Sequence, residues 1–178
     1  TGAKYSYIST NNQLEFFDII DGTPVLNIDR SNDFTYLEQV TAAYVIFNMN
    51  PTDRWSFNGG LRVEHTSSLG ELVSAKPGPD DVVSRNYTSF FPNLSISYND
   101  QENHALSLSY GRRITRPDYQ SLNPFESRIS ELATWKGNPF LEPNYIDNFQ
   151  LSYQIKRKLV ISNTFSITHN YFSRIFEI

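Results

Sequence analysis

Short runs in which apolar and polar side chains alternate one by one dominate the chain. In the run from Trp55 to Thr66, one set of alternate positions is apolar and the other is polar or charged. Four further runs share this pattern: Phe90–Tyr98, Leu106–Gly111, Phe149–Ile155 and Leu159–Thr168. Strand side chains point alternately to two faces, so each run predicts a strand with one apolar and one polar face. Two weaker candidates, a short one at Lys4–Ser9 and a long one at Tyr36–Met49, bring the prediction to about seven strands.

The connections between these predicted strands are alternately short and long. Short polar turns are expected near Asn50–Arg54, Asn99–Asn103 and Lys156–Lys158, and long segments over Thr10–Thr35, Ser67–Arg85 and Thr115–Asn144. Bacterial outer-membrane barrels sort their connections in this way, with tight periplasmic turns and long outer loops. The pattern therefore predicts an all-β fold, an antiparallel up-and-down meander that forms part of a larger transmembrane β-barrel.

Composition agrees with this fold and narrows the classes of function. Aromatic residues make up 15% of the chain, and Tyr and Phe suit both pleated strands and membrane interfaces. The chain contains no cysteine, which excludes disulfides and thiolate metal sites within it. The net charge of −4 and the lack of a basic tract argue against nucleic-acid binding. No apolar run is long enough for a transmembrane helix, for which about 18 residues are needed.

No linker divides the chain, so residues 1–178 are interpreted as one partial barrel segment. The first residues show no signal-peptide pattern, and Arg174–Ile178 is interpreted as the start of a continuing strand. We therefore expect a piece of a longer protein.

Three motifs point to a known family. They are Gly59-Gly60-Leu61-Arg62-Val63-Glu64, the segment from Arg112 to Phe125 with its Arg116-Pro117 and Leu122-Asn123-Pro124 steps, and Gly137-Asn138-Pro139-Phe140-Leu141-Glu142-Pro143 before the strand at Phe149. In this order they resemble the barrel of TonB-dependent outer-membrane receptors, over about Tyr36 to Tyr171. The resemblance implies import of a scarce nutrient, such as a metal chelate, vitamin, glycan or peptide. It also implies outer-membrane lipid, a plug domain and a TonB-type energy-transducing complex as partners. The signal peptide, plug and further strands of that family are not recognisable in this sequence.

Charged and aromatic residues supply the candidate sites. Arg62 and Glu64 lie two residues apart on a polar face, so both should point into the lumen and pair there. With Arg112 and Arg113 they form the predicted lumen charge network. The long segment Thr115–Asn144 is rich in apolar residues, so we expect it to fold into a compact lobe, with a helical turn near Ser127–Ala133. Arg116, Tyr119 and Trp135 in this lobe are the predicted ligand-binding residues.

The remaining polar residues favour neither a cofactor nor catalysis. His65, His104 and His169 are too scattered for a metal site. We expect no cofactor and no enzymatic activity, since no catalytic motif is present. An outer-membrane lipase would need a Ser/His pair on one wall, whereas Ser109 and His104 should lie on opposite faces. A soluble β-sandwich that binds carbohydrate or another ligand stays open as an alternative, because aromatic-rich strands suit it too.

Overall fold

The computed structural model describes residues 1–100, 102–130, 133–156 and 158–175. Its main element is one seven-stranded antiparallel sheet whose strands follow in chain order. These strands are β1 (Gly2–Leu14), β4 (Asn32–Thr52), β5 (Trp55–Ser74), β6 (Val82–Asn99), β7 (His104–Thr115), β10 (Asn144–Ile155) and β11 (Leu159–His169). Two small hairpins, β2 (Phe17–Ile20) with β3 (Thr23–Leu26) and β8 (Ser127–Arg128) with β9 (Thr134–Trp135), lie in the connections, as does the one-turn helix α1 (Tyr119–Leu122). The predicted meander is confirmed.

The sheet is open, with β1 and β11 at its two edges. A β-sandwich requires two large sheets packed face to face. Among the described residues there is one large sheet and two two-stranded hairpins. The sandwich alternative therefore does not describe this fold.

The register of the sheet confirms the predicted faces. Antiparallel partners lie on the same face, and Leu108 is paired with both Ile96 and Leu151. Every residue predicted for the apolar face lies on this side: Leu61, Val63, Leu94, Ile96, Leu106, Leu108, Leu151, Leu159, Ile161, Phe165 and Ile167. Those predicted for the polar face lie on the other: Ser95, Ser107, Ser152, Thr164 and Ser166.

The strands are longer than the alternation predicts. β4 and β5 contain 21 and 20 residues, about twice what a tilted membrane strand needs. The expected short strand at Lys4–Ser9 and the expected long loop over Ser67–Arg85 are therefore wrong, because both regions are mostly paired strand and only 75–81 connect β5 to β6. In the region of Ser67–Arg85, apolar residues such as Leu69 and Leu72 lie on both faces among small and polar ones, so the sequence loses the contrast between faces while the backbone continues to pair.

Strand β7 is paired differently on its two sides. Its pairing with β10 runs along its whole length, from His104 to Thr115. Its pairing with β6 ends at Asn93 opposite Gly111. The next residue of β6 is Pro92, which has no amide hydrogen to donate to a ladder. Above Asn93 and Gly111, the upper ends of β6 and β7 are therefore not paired with each other.

Two local expectations are corrected. The helical turn lies at Tyr119–Leu122, where Asp118 accepts a hydrogen bond from the amide of Ser121 at 2.7 Å, and not near Ser127–Ala133. The latter region forms the β8–β9 hairpin, in which β-branched and aromatic side chains occupy β9; residues 131 and 132 lie outside the described ranges. The expected strand beginning at Arg174 is not formed over 171–175, and 176–178 lie outside the described residues.

Candidate functional site

The connection from β7 to β10, residues 116–143, folds back over the polar face of the sheet; we call it the lobe. Its helix α1 places Leu122 against Phe34 of β4 and Leu72 of β5, and all three side chains are buried. Tyr36, Tyr119, Phe125 and Leu141 pack around them. The molecule's hydrophobic cluster thus lies between the lobe and the sheet, so the lobe is docked and does not extend away from the strands.

Both ends of the lobe are tied to the sheet by arginines. At its start, Arg116 donates from Nη2 to Glu64 Oε2 at 2.6 Å and to Thr66 Oγ1 at 3.1 Å. Its Nε donates to the hydroxyl of Tyr87 at 3.2 Å. At its end, Arg85 of β6 donates to the backbone carbonyl of Leu141. Such charge-assisted hydrogen bonds are among the stronger ones in proteins.

The glutamates under the lobe form one buried network. Glu64 has an exposed side-chain fraction of 5%, and its Oε1 also contacts Arg62 Nη2 at 2.5 Å. Glu38 lies nearby, with its Oε2 3.9 Å from Arg116 Nε and 3.0 Å from the hydroxyl of Tyr36. Buried carboxylates need such partners, because desolvation penalises an unpaired charge. Arg116 is therefore shared between two acidic side chains.

Two groups of the network, the Arg116 guanidinium and the Tyr36 hydroxyl, have raised pKa values. Burial lowers the pKa of Arg116, but the hydrogen bond to Glu64 and its neighbours Tyr87 and Glu38 raise it above the usual value overall. Burial and the Glu38 charge raise the pKa of the Tyr36 hydroxyl, so Tyr36 stays protonated and donates to Glu38. The site is a fixed arrangement of charges and donors that holds the lobe.

On the opposite face of the sheet, apolar side chains are concentrated in the half nearer the short turns. They run from Trp55 to Val63 on β5 and from Tyr98 to Phe90 on β6. Beyond them the same face becomes mostly polar, beginning with His65 and Thr88, whose Nδ1 and Oγ1 lie 3.0 Å apart. Each apolar stretch covers about nine residues, the length of a tilted membrane strand. We call this half of the sheet the apolar band, and the parts of β4, β5 and β6 beyond it the extension.

Aromatic rings mark the border of the apolar band at the short-turn end. Trp55 lies 4.9 Å from Tyr98 and 5.8 Å from Phe57 between ring centroids. On the neighbouring strands His104 stacks on Tyr153. Rings with one polar end are enriched where a membrane meets water.

The polar face of the band is lined mainly by uncharged side chains, with Arg62 at its border with the extension. Hydroxyls lie next to each other across strands, with Ser97 and Ser107 at 3.2 Å and Ser152 and Ser162 at 3.2 Å. An apolar outer belt and a wet inner face with few charges are the features of a membrane barrel wall.

A family model described as the outer membrane protein beta-barrel family matches residues 1–178. The chain belongs to this family. It follows that the protein is located in the outer membrane and that the sheet is barrel wall. No curated protein matches the chain. Within the described residues, no helix is long and apolar enough to cross a membrane.

In this outer membrane barrel the apolar band lies against lipid and the polar face lines the lumen. The lobe therefore covers the lumen side of the wall at the end with the long connections. The predicted pair Arg62 and Glu64 is formed there, beneath it.

The four residues of the predicted lumen charge network do not lie together in the structure. The register places Arg112 on the face of Leu108, and its Nε lies 3.9 Å from Asp147 Oδ1. Asp147 also accepts from the Tyr110 hydroxyl at 2.8 Å and lies 3.2 Å from His169 Nε2. Arg113 lies on the opposite face from Arg112, next to Ile146. The expectation that Arg112 joins Arg62 and Glu64 is wrong, because adjacent strand residues face opposite ways.

The predicted ligand-binding residues each have a neighbour in the protein. Arg116 lies in the buried network, and Tyr119 packs on the cluster around Leu122. Trp135 in β9 is half-buried, with the guanidinium of Arg174 4.6 Å from its ring centroid. Arg116 and Tyr119 therefore lie where the lobe contacts the sheet, whereas Trp135 lies in the β8–β9 hairpin.

Sequence reasoning missed Glu38, Tyr36, Tyr87 and Asp147. The available signal was an acidic residue within an otherwise apolar or neutral strand, as at Glu38 and Asp147. The partner of Glu38 is 78 positions away in the sequence, at Arg116, so no local pattern could identify it. Among the described residues no group of three or more His, Asp or Glu side chains could hold a metal.

Proposed function

We propose that this barrel segment belongs to a TonB-dependent receptor that imports a scarce nutrient: a metal chelate, vitamin, glycan or peptide. In this proposal a plug domain of the same protein fills the lumen, and a TonB-type complex supplies the energy. The motifs around Arg62, Pro117 and Pro139 support it by their resemblance to that family. No catalytic reaction is part of the proposal.

The observation that carries the proposal is the docked lobe. A passive pore needs an open mouth, whereas the lobe covers lumen wall at the end where ligands arrive. Its attachment uses a buried cluster and charge-assisted bonds at both ends. Such a firmly attached lobe suits a receptor that selects its ligand at the entrance.

Within this function the three predicted ligand residues have different tasks. Trp135 lies in the β8–β9 hairpin and is not part of the buried cluster, so it would offer its ring to ligand. Arg116 and Tyr119 are engaged with the wall, so they would position the lobe and act on the ligand through it.

Uptake measured in cells tests the proposal. Trp135→Ala should reduce ligand uptake while the amount of receptor in the outer membrane stays unchanged. Ile129→Ala, an exposed neighbour in the same hairpin loop, is the matched control and should leave uptake unchanged. If the Trp135→Ala barrel disappears from the membrane, Trp135 is structural and its role in ligand capture is rejected.

Dependence on energy tests the family-level part of the proposal. Uptake through the intact protein should stop when the TonB-type complex is deleted, while ligand binding to the cell surface continues. Uptake that persists without the complex would identify a passive pore instead.

A further inference from the structure

Strands β6 and β7 pair over only part of their length, but their sequences would also allow the pairing to continue. If the register continued beyond Asn93 and Gly111, Phe91 would lie opposite Arg113, Phe90 opposite Ile114 and Ser89 opposite Thr115. Each of these pairs has both members on one face, with Phe90 and Ile114 on the apolar face. Cross-strand pairs of aromatic and β-branched side chains stabilise sheets. The sequence is therefore compatible with a closed seam that the structure does not adopt.

Two contacts in the structure hold the seam open. The Tyr145 hydroxyl of β10 lies 2.7 Å from the Ser89 hydroxyl of β6. In a closed seam Ser89 would lie on the lumen face with Thr115, whereas Tyr145 lies on the opposite face beside Ile114. This hydrogen bond is therefore specific to the open arrangement.

The second contact is the attachment of Arg116. In the continued register Arg116 would lie opposite Thr88 and point to the apolar side of the sheet. In the structure it reaches the other side, where it binds Glu64 and Thr66. Docking of the lobe through Arg116 and closure of the seam therefore exclude each other.

An opening of molecular size lies beside the upper end of β6. It is a cleft of about 440 Å³ between Ser84–Tyr87 and the first residues of β10, with Glu142 and Tyr145 in its wall. In the continued register, residues 117–120 would lie opposite this part of β6, so the cleft is the space that an extension of β7 beyond Arg116 would occupy.

We propose that the β6–β7 seam is a two-state lateral opening, held open by the Arg116–Glu64 pair while the lobe is docked. Release of Arg116 lets the pairing of β7 with β6 extend through Arg116, opposite Thr88, to the edge of the cleft. Docking of the lobe and opening of the β6–β7 seam are thereby coupled, since undocking of the lobe lets the seam close.

Disulfide trapping in the intact protein, in its native membrane, tests this. The chain contains no cysteine, so introduced pairs are unambiguous within it. Ser89→Cys with Thr115→Cys reports the closed seam, because antiparallel partners have the Cα spacing that a disulfide requires. Ser97→Cys with Ser107→Cys is the control pair, since these residues are already register partners. Oxidation is followed by alkylation of free thiols and mass spectrometry.

With Arg116 intact, the 89/115 pair should cross-link about tenfold more slowly than the control pair. Arg116→Gln should bring its rate to within about threefold of the control, because the buried ion pair that holds the open state is lost. Glu64→Gln provides the same test from the other partner if Arg116→Gln fails to assemble. The proposal is overturned if 89/115 never cross-links in any background while the control does. It is equally overturned if 89/115 matches the control with Arg116 intact.

Discussion

The apolar band and the extension are made from the same strands but are stabilised in different ways. In the band, large apolar side chains such as Leu61 and Phe165 are 40% and 59% exposed in this chain, and the opposite face is mostly polar and uncharged. In the extension, Glu64 and Thr66 on the lumen side are 4% and 1% exposed, because the lobe covers them. The band therefore depends on lipid for its burial, whereas the extension carries its own core.

This difference teaches where single substitutions act. A change on the lipid side of the band alters the interaction with the membrane, while a change beneath the lobe alters contacts within the chain. The strands connect the two regions without interruption, so the boundary is chemical and not a break in secondary structure.

The largest effect is expected from a charge on the lipid side of the band. Leu108→Arg should destabilise the folded barrel by about 2–4 kcal/mol, since the guanidinium would lie in hydrocarbon. The adjacent Ser107→Arg places the same charge in the lumen and is the matched control. The amount of folded, heat-modifiable protein in the outer membrane measures both. Equal losses for the two variants would contradict the assignment of the faces.

A smaller and local effect is expected beneath the lobe. Leu122→Ala should weaken docking by about 2–3 kcal/mol, because it empties the centre of the small cluster with Phe34 and Leu72. Proteolysis of the lobe in intact cells should then become faster while the band stays resistant. Ile129→Ala, at 71% exposure in the same lobe, should change nothing. A lobe that stays resistant in Leu122→Ala would show that the cluster does not hold it.

A single hydrogen bond in the buried network should contribute less to docking of the lobe than the Leu122 side chain does. Tyr36→Phe removes the donor to the Glu38 carboxylate at 3.0 Å and should cost about 1–2 kcal/mol of lobe docking. Tyr171→Phe, at a position exposed by 76%, is the control. Amide hydrogen exchange in the lobe should be faster in Tyr36→Phe than in Tyr171→Phe. Equal exchange rates in the two variants would exclude a role for this bond.

The smallest effect is expected at a short turn. Asp100 Oδ1 accepts hydrogen bonds from the amides of His104, Asn103 and Glu102, at 2.8, 2.7 and 2.9 Å. These amides, His104 first, lower the pKa of Asp100. The stabilisation is therefore present above the pKa of a free carboxyl and is lost as the pH falls through the lowered value.

Asp100→Asn should remove this pH dependence. Exchange of the amides 102–104 in the parent protein should become faster only in acid, after correction for intrinsic rates, whereas the variant should show no such step. An identical acid step in both would mean that another group controls the turn.

The sequence predicted the band well and the lobe poorly, for a physical reason. In the band each strand meets two different solvents, so alternation is visible in β5 or β11 taken alone. In the extension both faces mix apolar and polar residues, as at Leu69 and Leu72 beside Ser67 and Ser68, and the pattern disappears although the strands continue. Docking of the lobe depends on pairs such as Leu122 with Phe34, which are far apart in the sequence.

The site was predicted in the same uneven way. Arg62 and Glu64 are neighbours on one strand face, so their pairing could be deduced locally. Glu38 and Tyr87 could not be found, because their partner Arg116 reaches them only through the fold of the lobe. The error at Arg112 came from grouping charges by type; alternation along β7 already separates Arg112 from Arg113.

Depth-dependent quenching along β5 tests the central claim most directly. Single cysteines at Asn58, Leu61, Val63, Ser67 and Leu69 would carry a fluorescent label in the intact protein, reconstituted with brominated lipid. Labels at 61 and 63 should be strongly quenched, those at 67 and 69 weakly although they lie on the same face, and that at 58 weakly because it faces the lumen. Strong quenching at 67 and 69, or equal quenching at 58 and 61, would contradict the account.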